Sequence, residues 1–150
     1  MKRRLLAFAL LALAAAPSWA ASGCSTTVEG NDAMQFNQKQ ITVPATCKQF
    51  TVTLEHVGKL PRAAMGHNLV IAAAADEQGV LGDGSKAGLD NDYVQPGDTR
   101  IIAHTRILGG GETDSTTFGT AALKPGQDYS FFCSFPGHAA LMKGTVSLAK

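Results

Sequence analysis

The segment Phe131–Met142 carries a thiol, an imidazole and a thioether, Cys133, His138 and Met142, spaced C-x4-H-x3-M. Thiolate and thioether are soft donors that favour Cu(I), and imidazole suits either oxidation state, so the three together select copper. Two His and one Cys in a trigonal set, with a weak axial Met, form the blue-copper electron-transfer arrangement. The segment supplies one His, the Cys and the Met, so a second His must come from elsewhere. Met65-Gly66-His67-Asn68-Leu69-Val70-Ile71 offers it. There His67, Leu69 and Ile71 share one phase of a strand, which turns His67 inward at the strand's start. Gly66 lets the backbone approach a ligand closely. Taken alone, His67 reads more plainly as a hydrogen-bonded core histidine; the downstream loop reverses that balance.

The elements that must hold these groups read as strands. Phe50, Val52, Leu54 and His56 alternate with Thr51, Thr53 and Glu55, the period-two signature of a half-buried strand. Met34-x-Phe36 and Ile41-x-Val43 are shorter examples, Ile101–Leu108 is a longer one, and Thr116-Thr117-Phe118 follows. Lys124-Pro125-Gly126-Gln127 is a turn into a strand, Tyr129–Cys133, that delivers the thiol; Pro136-Gly137 turns His138 back, and Lys143–Leu148 is the closing strand. Short strands punctuated in this way indicate an all-β sandwich. Ala72–Tyr93, rich in Ala and Gly, reads as an excursion from the sheet that contains a short helix.

The start of the chain reads as an export signal. Lys2-Arg3-Arg4 precedes an apolar run of 12 residues, Leu5–Ala16, too short to anchor in a bilayer. Pro17 ends the run, and Ser18-Trp19-Ala20 places a cut after Ala20, leaving one domain over residues 21–150. Arg3-Arg4 lacks a convincing surrounding motif, so general secretion is expected. Loss of the signal removes three cations and no anion, taking the net charge from +1 to −2. No basic stripe is present, which argues against nucleic acid. A chain of this size buries roughly two-thirds of its unfolded surface, enough for one core. In an oxidising compartment Cys24 and Cys47 are most simply a disulfide, which leaves Cys133 as the odd thiol that needs an explanation. The alternative is a lipid on Cys24, since Ala21-Ser22-Gly23-Cys24 has the look of a degraded lipoprotein signal.

Over essentially the whole mature chain the sequence resembles the azurins, bacterial periplasmic blue-copper proteins of the cupredoxin fold. The resemblance lies in Gly30-Asn31-Asp32-x-Met34-Gln35-Phe36-Asn37, Cys47–Val52, Met65–Asn68, Gly88-Leu89-Asp90-x-Asp92-Tyr93, Ile102–Thr105 and Phe131–Gly144. Plastocyanin and amicyanin have shorter Cys-to-His gaps, so the loop is similar to azurin and not to them. The resemblance implies an eight-stranded Greek-key β-sandwich with a helical flap, a Cys24–Cys47 disulfide and a single copper ion. It implies His67, Cys133 and His138 as strong ligands, with Met142 and the carbonyl of Gly66 as weak axial contacts. Asn68 and Ser134 would tie the ligand loops together, and the N–H groups of Asn68 and Phe135 would donate to the Cys133 sulfur. Two residues depart from the pattern: Leu69 stands where azurins commonly have a buried Trp, and Ser85 replaces a hydrophobic residue of the flap.

Electron exit is expected at His138, because Phe135–Leu141 holds no charge before Lys143 and weak electron-transfer encounters bury little area. The resemblance adds Met65 to Phe135, Pro136, Gly137, His138 and Ala140 as the docking face, and implies c-type cytochromes and nitrite reductase as partners of a monomer without stable membrane insertion. An apolar shell of Phe131, Phe132, Phe135 and Leu141 is expected to keep water from the site, which argues against an enzyme. A multicopper enzyme would need about eight further His beyond a blue site, and the chain has four in all. A thiol enzyme using Cys133 and His138 leaves Met142 and His67 unexplained. A periplasmic copper store or chaperone is the remaining alternative. His56 is expected to be buried and His104 to lie at a sheet surface.

Overall fold

The alternation in Gln49–His56 (β4) becomes a sheet surface: Phe50, Val52, Leu54 and His56 are buried and the residues between them are not. The structure, a computed structural model, describes residues 23–149. The export signal over 1–20 and the cut after Ala20 lie outside the described residues. Strands β1 (Ser25–Asn31), β2 (Gln35–Phe36), β4 and β7 (Thr113–Gly119) form a four-stranded sheet in the order β2-β1-β4-β7. Strands β3 (Gln40–Val43), β5 (Val70–Ala73), β6 (Ile101–His104), β8 (Tyr129–Phe132) and β9 (Lys143–Leu148) form a five-stranded one in the order β3-β9-β8-β5-β6. Both sheets are mixed: β1 pairs in parallel with β4, and β3 with β9, while the other pairings are antiparallel. The inner faces enclose a core that includes Val28, Ile41, Phe50, Leu54, Leu69, Ile71 and Phe131. Cys24 and Cys47 are bridged, one at the head of each parallel strand β1 and β4.

The described residues hold nine strands where eight are expected. The one without a counterpart in the sequence reading is β1, where Val28 is the sole buried side chain; the short strand expected at Met34-x-Phe36 is present as β2. Met34 adopts φ 55°, and the chain folds back so that Phe36 opposes Gly30. The Asn31 carboxamide oxygen secures the turn by accepting from the N–H groups of Ala33 at 2.9 Å and Gln35 at 3.2 Å.

Strand β8 is buried on both faces, since the flap covers its outer side. After a four-residue helix α1, Arg62–Met65, the flap helix α2, Glu77–Ala87, lies over Val70, Ala72 and Phe132 and seals a second small cluster with Val80 and Val94. The expected excursion begins later than Ala72: Ala72 and Ala73 remain in β5, and residues 74–76 form one tight helical turn. Gly84 of α2 sits against the chain that follows, where a Cβ would come within 2.1 Å of the Tyr93 carbonyl oxygen.

The strand expected over Ile101–Leu108 keeps its ladder only to His104. Beyond it the Thr105 hydroxyl takes the place of a backbone acceptor, receiving the Leu69 N–H at 3.0 Å. The chain then returns to pair Leu108 with His67, through N–H···O contacts of 3.0 and 2.7 Å. His67 is therefore fixed by one isolated bridge just before the regular strand. The expected phase holds: Leu69 and Ile71 enter the main core, and Val70 and Ala72 face the flap.

Candidate metal centre

Each converging side chain is delivered by a short, heavily bonded piece of backbone. Cys133 lies one residue past β8, and its N–H donates to the Met142 carbonyl at 3.0 Å. Gly137 takes φ 84° and starts a tight turn over His138–Ala140. The His138 N–H returns to the Phe135 carbonyl at 3.0 Å, and the Met142 N–H to the His138 carbonyl at 2.8 Å. Cys133, His138 and Met142 thus share one closed loop. His67 arrives from the neighbouring segment of the same sheet, three residues before β5, which pairs with β8.

The donor atoms of His67, Cys133 and His138 lie within 4.8 Å of one another. His67 Nδ1 and His138 Nδ1 are 3.2 Å apart, Cys133 Sγ is 3.7 Å from His138 Nδ1, and the Gly66 carbonyl oxygen is 4.0 Å from the sulfur. His67 and Cys133 have no exposed surface, and His138 keeps 4%. The His67 tautomer is set from outside: Nε2–H donates to the Asn31 carbonyl at 2.9 Å, which leaves Nδ1 bare toward the cluster.

The electrostatics favour a soft cation at this point. Burial pushes the Cys133 thiol up to about 12, with the N–H groups of Asn68 and Phe135 acting against it. Burial lowers His67, opposed by its bond to Asn31, and takes His138 down to about 4. Two neutral imidazole lone pairs and a thiol that resists ionisation therefore face one point. A metal ion resolves this, because coordination deprotonates a thiol outright and accepts bare imidazole nitrogen. The donor set is sulfur and nitrogen only, which suits copper better than calcium, magnesium or manganese. Met142 is fully buried nearby. At Gly30 of β1 a Cβ would fall 3.0 Å from His67 Cδ2 and 3.3 Å from Met142 Cε, so those two side chains share one pocket that a glycine keeps open.

The rings are held from both sides. His56 stacks on His67 with centroids 4.3 Å apart; its Nε2–H donates to the Met65 carbonyl at 2.8 Å, and its Nδ1 accepts from Gly58 at 3.1 Å. Phe135 stacks on His138 at 4.4 Å, and Tyr93 meets Phe135 edge-on at 5.2 Å. Asn68 Oδ1 accepts the Ser134 N–H at 2.8 Å, and Asn68 Nδ2 donates to Ser134 Oγ at 2.8 Å, so the segments that carry His67 and Cys133 are tied to each other.

The remaining sequence candidates fall as follows. Met65 and Phe135 are half-buried, and Pro136, Gly137 and Ala140 are exposed. Leu141 is 54% exposed and does not belong to a water-excluding shell. Phe131 sits in the main core and Phe132 beneath the flap. Ser85 is exposed on a groove of about 490 Å3 between α2 and Phe135-Pro136-Gly137. Leu69, which departs from the resemblance's buried Trp, is itself wholly buried, and His104 is exposed. Sequence reasoning missed three contributors. Gly30, the Asn31 carbonyl and Asp92 all stand within stretches that carried the resemblance, but a backbone carbonyl and an absent Cβ leave no chemical signature in a sequence.

A profile described as copper binding proteins, plastocyanin/azurin family, matches residues 22–149. The chain is 62% identical over 125 residues to the azurin of Alcaligenes faecalis, an alignment covering 83% of this chain and 98% of that one. It is 57% identical over 148 residues to the azurin of Pseudomonas aeruginosa, covering 99% of both. Among solved structures, the azurin Az-iso2 of the methylotroph Methylomonas sp. strain J superposes with a TM-score of 0.83 at 46% identity, covering 86% of this chain and all of the other.

Proposed function

The chain belongs to the plastocyanin/azurin family of copper-binding proteins, and from that premise we propose that it carries single electrons between redox proteins of the periplasm. Copper, when bound, supplies the one-electron couple between Cu(I) and Cu(II). His67, Cys133 and His138 would hold it, with Met142 and the Gly66 carbonyl as weak donors. Cys133 would bind as a thiolate, its charge drawn upon by the N–H groups of Asn68 and Phe135. His67 and His138 present neutral Nδ1 atoms. Their positions are set by backbone bonds, ring stacking and the Asn68–Ser134 pair, all independent of the electron count. A donor set fixed in this way has little to rearrange when one electron enters or leaves.

The observation that carries the reading is the convergence of three buried soft donors, one of them within a segment, Phe135–Leu141, that has no charged side chain. Burial of every donor leaves a substrate no approach, which favours a carrier over an enzyme. It also counts against a copper store or chaperone, whose ligands must exchange readily. His138 is the donor in that segment, and Met65, Phe135, Pro136, Gly137 and Ala140 would receive a partner around it. The resemblance makes c-type cytochromes and nitrite reductase the partners to try, and the export signal over 1–20 delivers the chain to them as a monomer.

Stopped-flow mixing of the copper(II) protein with a reduced c-type cytochrome tests the proposal. Bimolecular oxidation of the cytochrome is expected, slower in Ala140→Glu although its visible spectrum is unchanged. No transfer, together with release of copper to a chelator within the mixing time, would point to storage instead.

A further inference from the structure

Between the flap and the two ligand segments the chain makes a turn with two consecutive left-handed residues, neither of them glycine. Asp92 has φ 56° and Tyr93 φ 51°. An aspartate tolerates this region and a tyrosine seldom enters it. Backbone held there without glycine persists only where its surroundings over-determine it, and such residues cluster at functional sites. Here hydrogen bonds from four residues hold it. One Asp92 carboxylate oxygen accepts from the Arg62 guanidinium at 2.9 Å and from the Ile107 N–H at 2.8 Å. The Asp92 carbonyl accepts from Asn68 Nδ2 at 2.9 Å and from Ser134 Oγ at 3.4 Å. Tyr93, one residue on, sets its ring edge against Phe135, which stacks on His138.

We propose that Asp92 is a positioning residue of the metal centre: its carboxylate locks the left-handed turn, and the turn holds Asn68 and Ser134 in the orientation that fixes Cys133, and Phe135 in the orientation that fixes His138. The inference rests on the reading of Cys133 and His138 as copper ligands. Asn68 has two amide hydrogens and one carboxamide oxygen. With the Asp92 carbonyl in place, one hydrogen goes to that carbonyl, the other to Ser134 Oγ, and the oxygen receives the Ser134 N–H. The amide is then fully engaged and has a single orientation. Take the carbonyl away and the amide can rotate, freeing the Ser134 N–H next to Cys133. Outer partners of this kind usually matter about 10–100-fold for metal retention.

The test compares the mature protein with Asp92→Gly, Asp92→Asn and Leu123→Ala. Glycine is at ease in the left-handed region, so Asp92→Gly keeps the turn accessible and deletes only the carboxylate. Asparagine restores one acceptor oxygen. Leu123→Ala lowers stability from the core, near the Tyr129 end of β8. Amide hydrogen exchange at Ser134 is followed by NMR in the copper(I) and copper-free forms, and copper release to a chelator is timed. Asp92→Gly should exchange Ser134 about tenfold faster and release copper about 10–100-fold faster, with Asp92→Asn between it and the parent and Leu123→Ala close to the parent. Unchanged Ser134 exchange in Asp92→Gly, or equal changes in Leu123→Ala, would overturn the proposal. Should the parent protein never turn blue with copper, the electron-carrier reading fails, while Ser134 exchange in the copper-free chain still decides the role of Asp92.

Discussion

At the scale of residues, the proposed donors differ in what they control. Cys133, His67 and His138 are strong donors that converge within 4.8 Å, whereas Met142 offers a neutral thioether. Removing a weak donor should leave copper bound by the other three. It should change the balance between oxidation states, because an axial donor stabilises Cu(II) more than Cu(I). Met142→Leu is therefore expected to stay blue with a raised reduction potential, and Met142→Gln, with its harder amide oxygen, to shift the potential down. Voltammetry of the pair checks this; equal losses of stability without opposite shifts would reduce Met142 to a space-filler. The histidines give a second prediction. Burial holds His138 at about 4 against an ordinary 6.5, and lowers His67 as well. Between those values the unfolded chain binds more protons than the folded one, so stability rises with pH there. The copper-free protein should lose stability as pH falls from about 6.5 toward 4, with carboxylates such as Asp98, held low beside Arg100, adding their loss only below an ordinary 3.8. Urea midpoints measured across that window test it, and a flat profile would contradict it.

At the scale of elements, the flap is where packing against the site can be disturbed without touching a donor. Gly84 of α2 faces the Tyr93 carbonyl so closely that a Cβ would lie 2.1 Å away. Gly84→Ala should cost about 1–3 kcal/mol, as overpacked sites do, and thermal denaturation beside Gly82→Ala, where a Cβ meets nothing within 4 Å, separates the packing effect from helix propensity. An equal melting point for the two would refute it. The elements were legible in the chain to different degrees, for physical reasons. β4 and β3 face the core on one side only, so alternation revealed them directly. β8 and β5 are buried on both faces, and their apolar runs gave position but not boundaries. β6 ends earlier than its apolar run implies because Thr105 substitutes a hydroxyl for a ladder acceptor, and β1 left no alternation to read because Val28 is its one buried side chain. Cys133, His138 and Met142 were legible as spaced chemistry. The Asn31 and Asp92 carbonyls were not, since every residue has one.

At the scale of the whole molecule, one end of the sandwich gathers the donor cluster, the exposed loop around His138 and the flap groove, while the Cys24–Cys47 bridge joins the heads of β1 and β4. The charged groups nearest that end are largely occupied: Arg62 pairs with Asp92, Lys143 with Glu77, and Lys39 donates to the Leu141 carbonyl. An uncharged loop bordered by satisfied ions suits brief docking more than tight complexes. The account depends on a single thiolate bound to copper within this end of the fold, and the visible absorption spectrum of the copper(II) protein reads that bond directly. An intense blue band is expected, bleaching on addition of one electron per chain, returning on reoxidation and missing in Cys133→Ser. A copper(II) form without that band, or a Cys133→Ser variant that keeps it, would contradict the account.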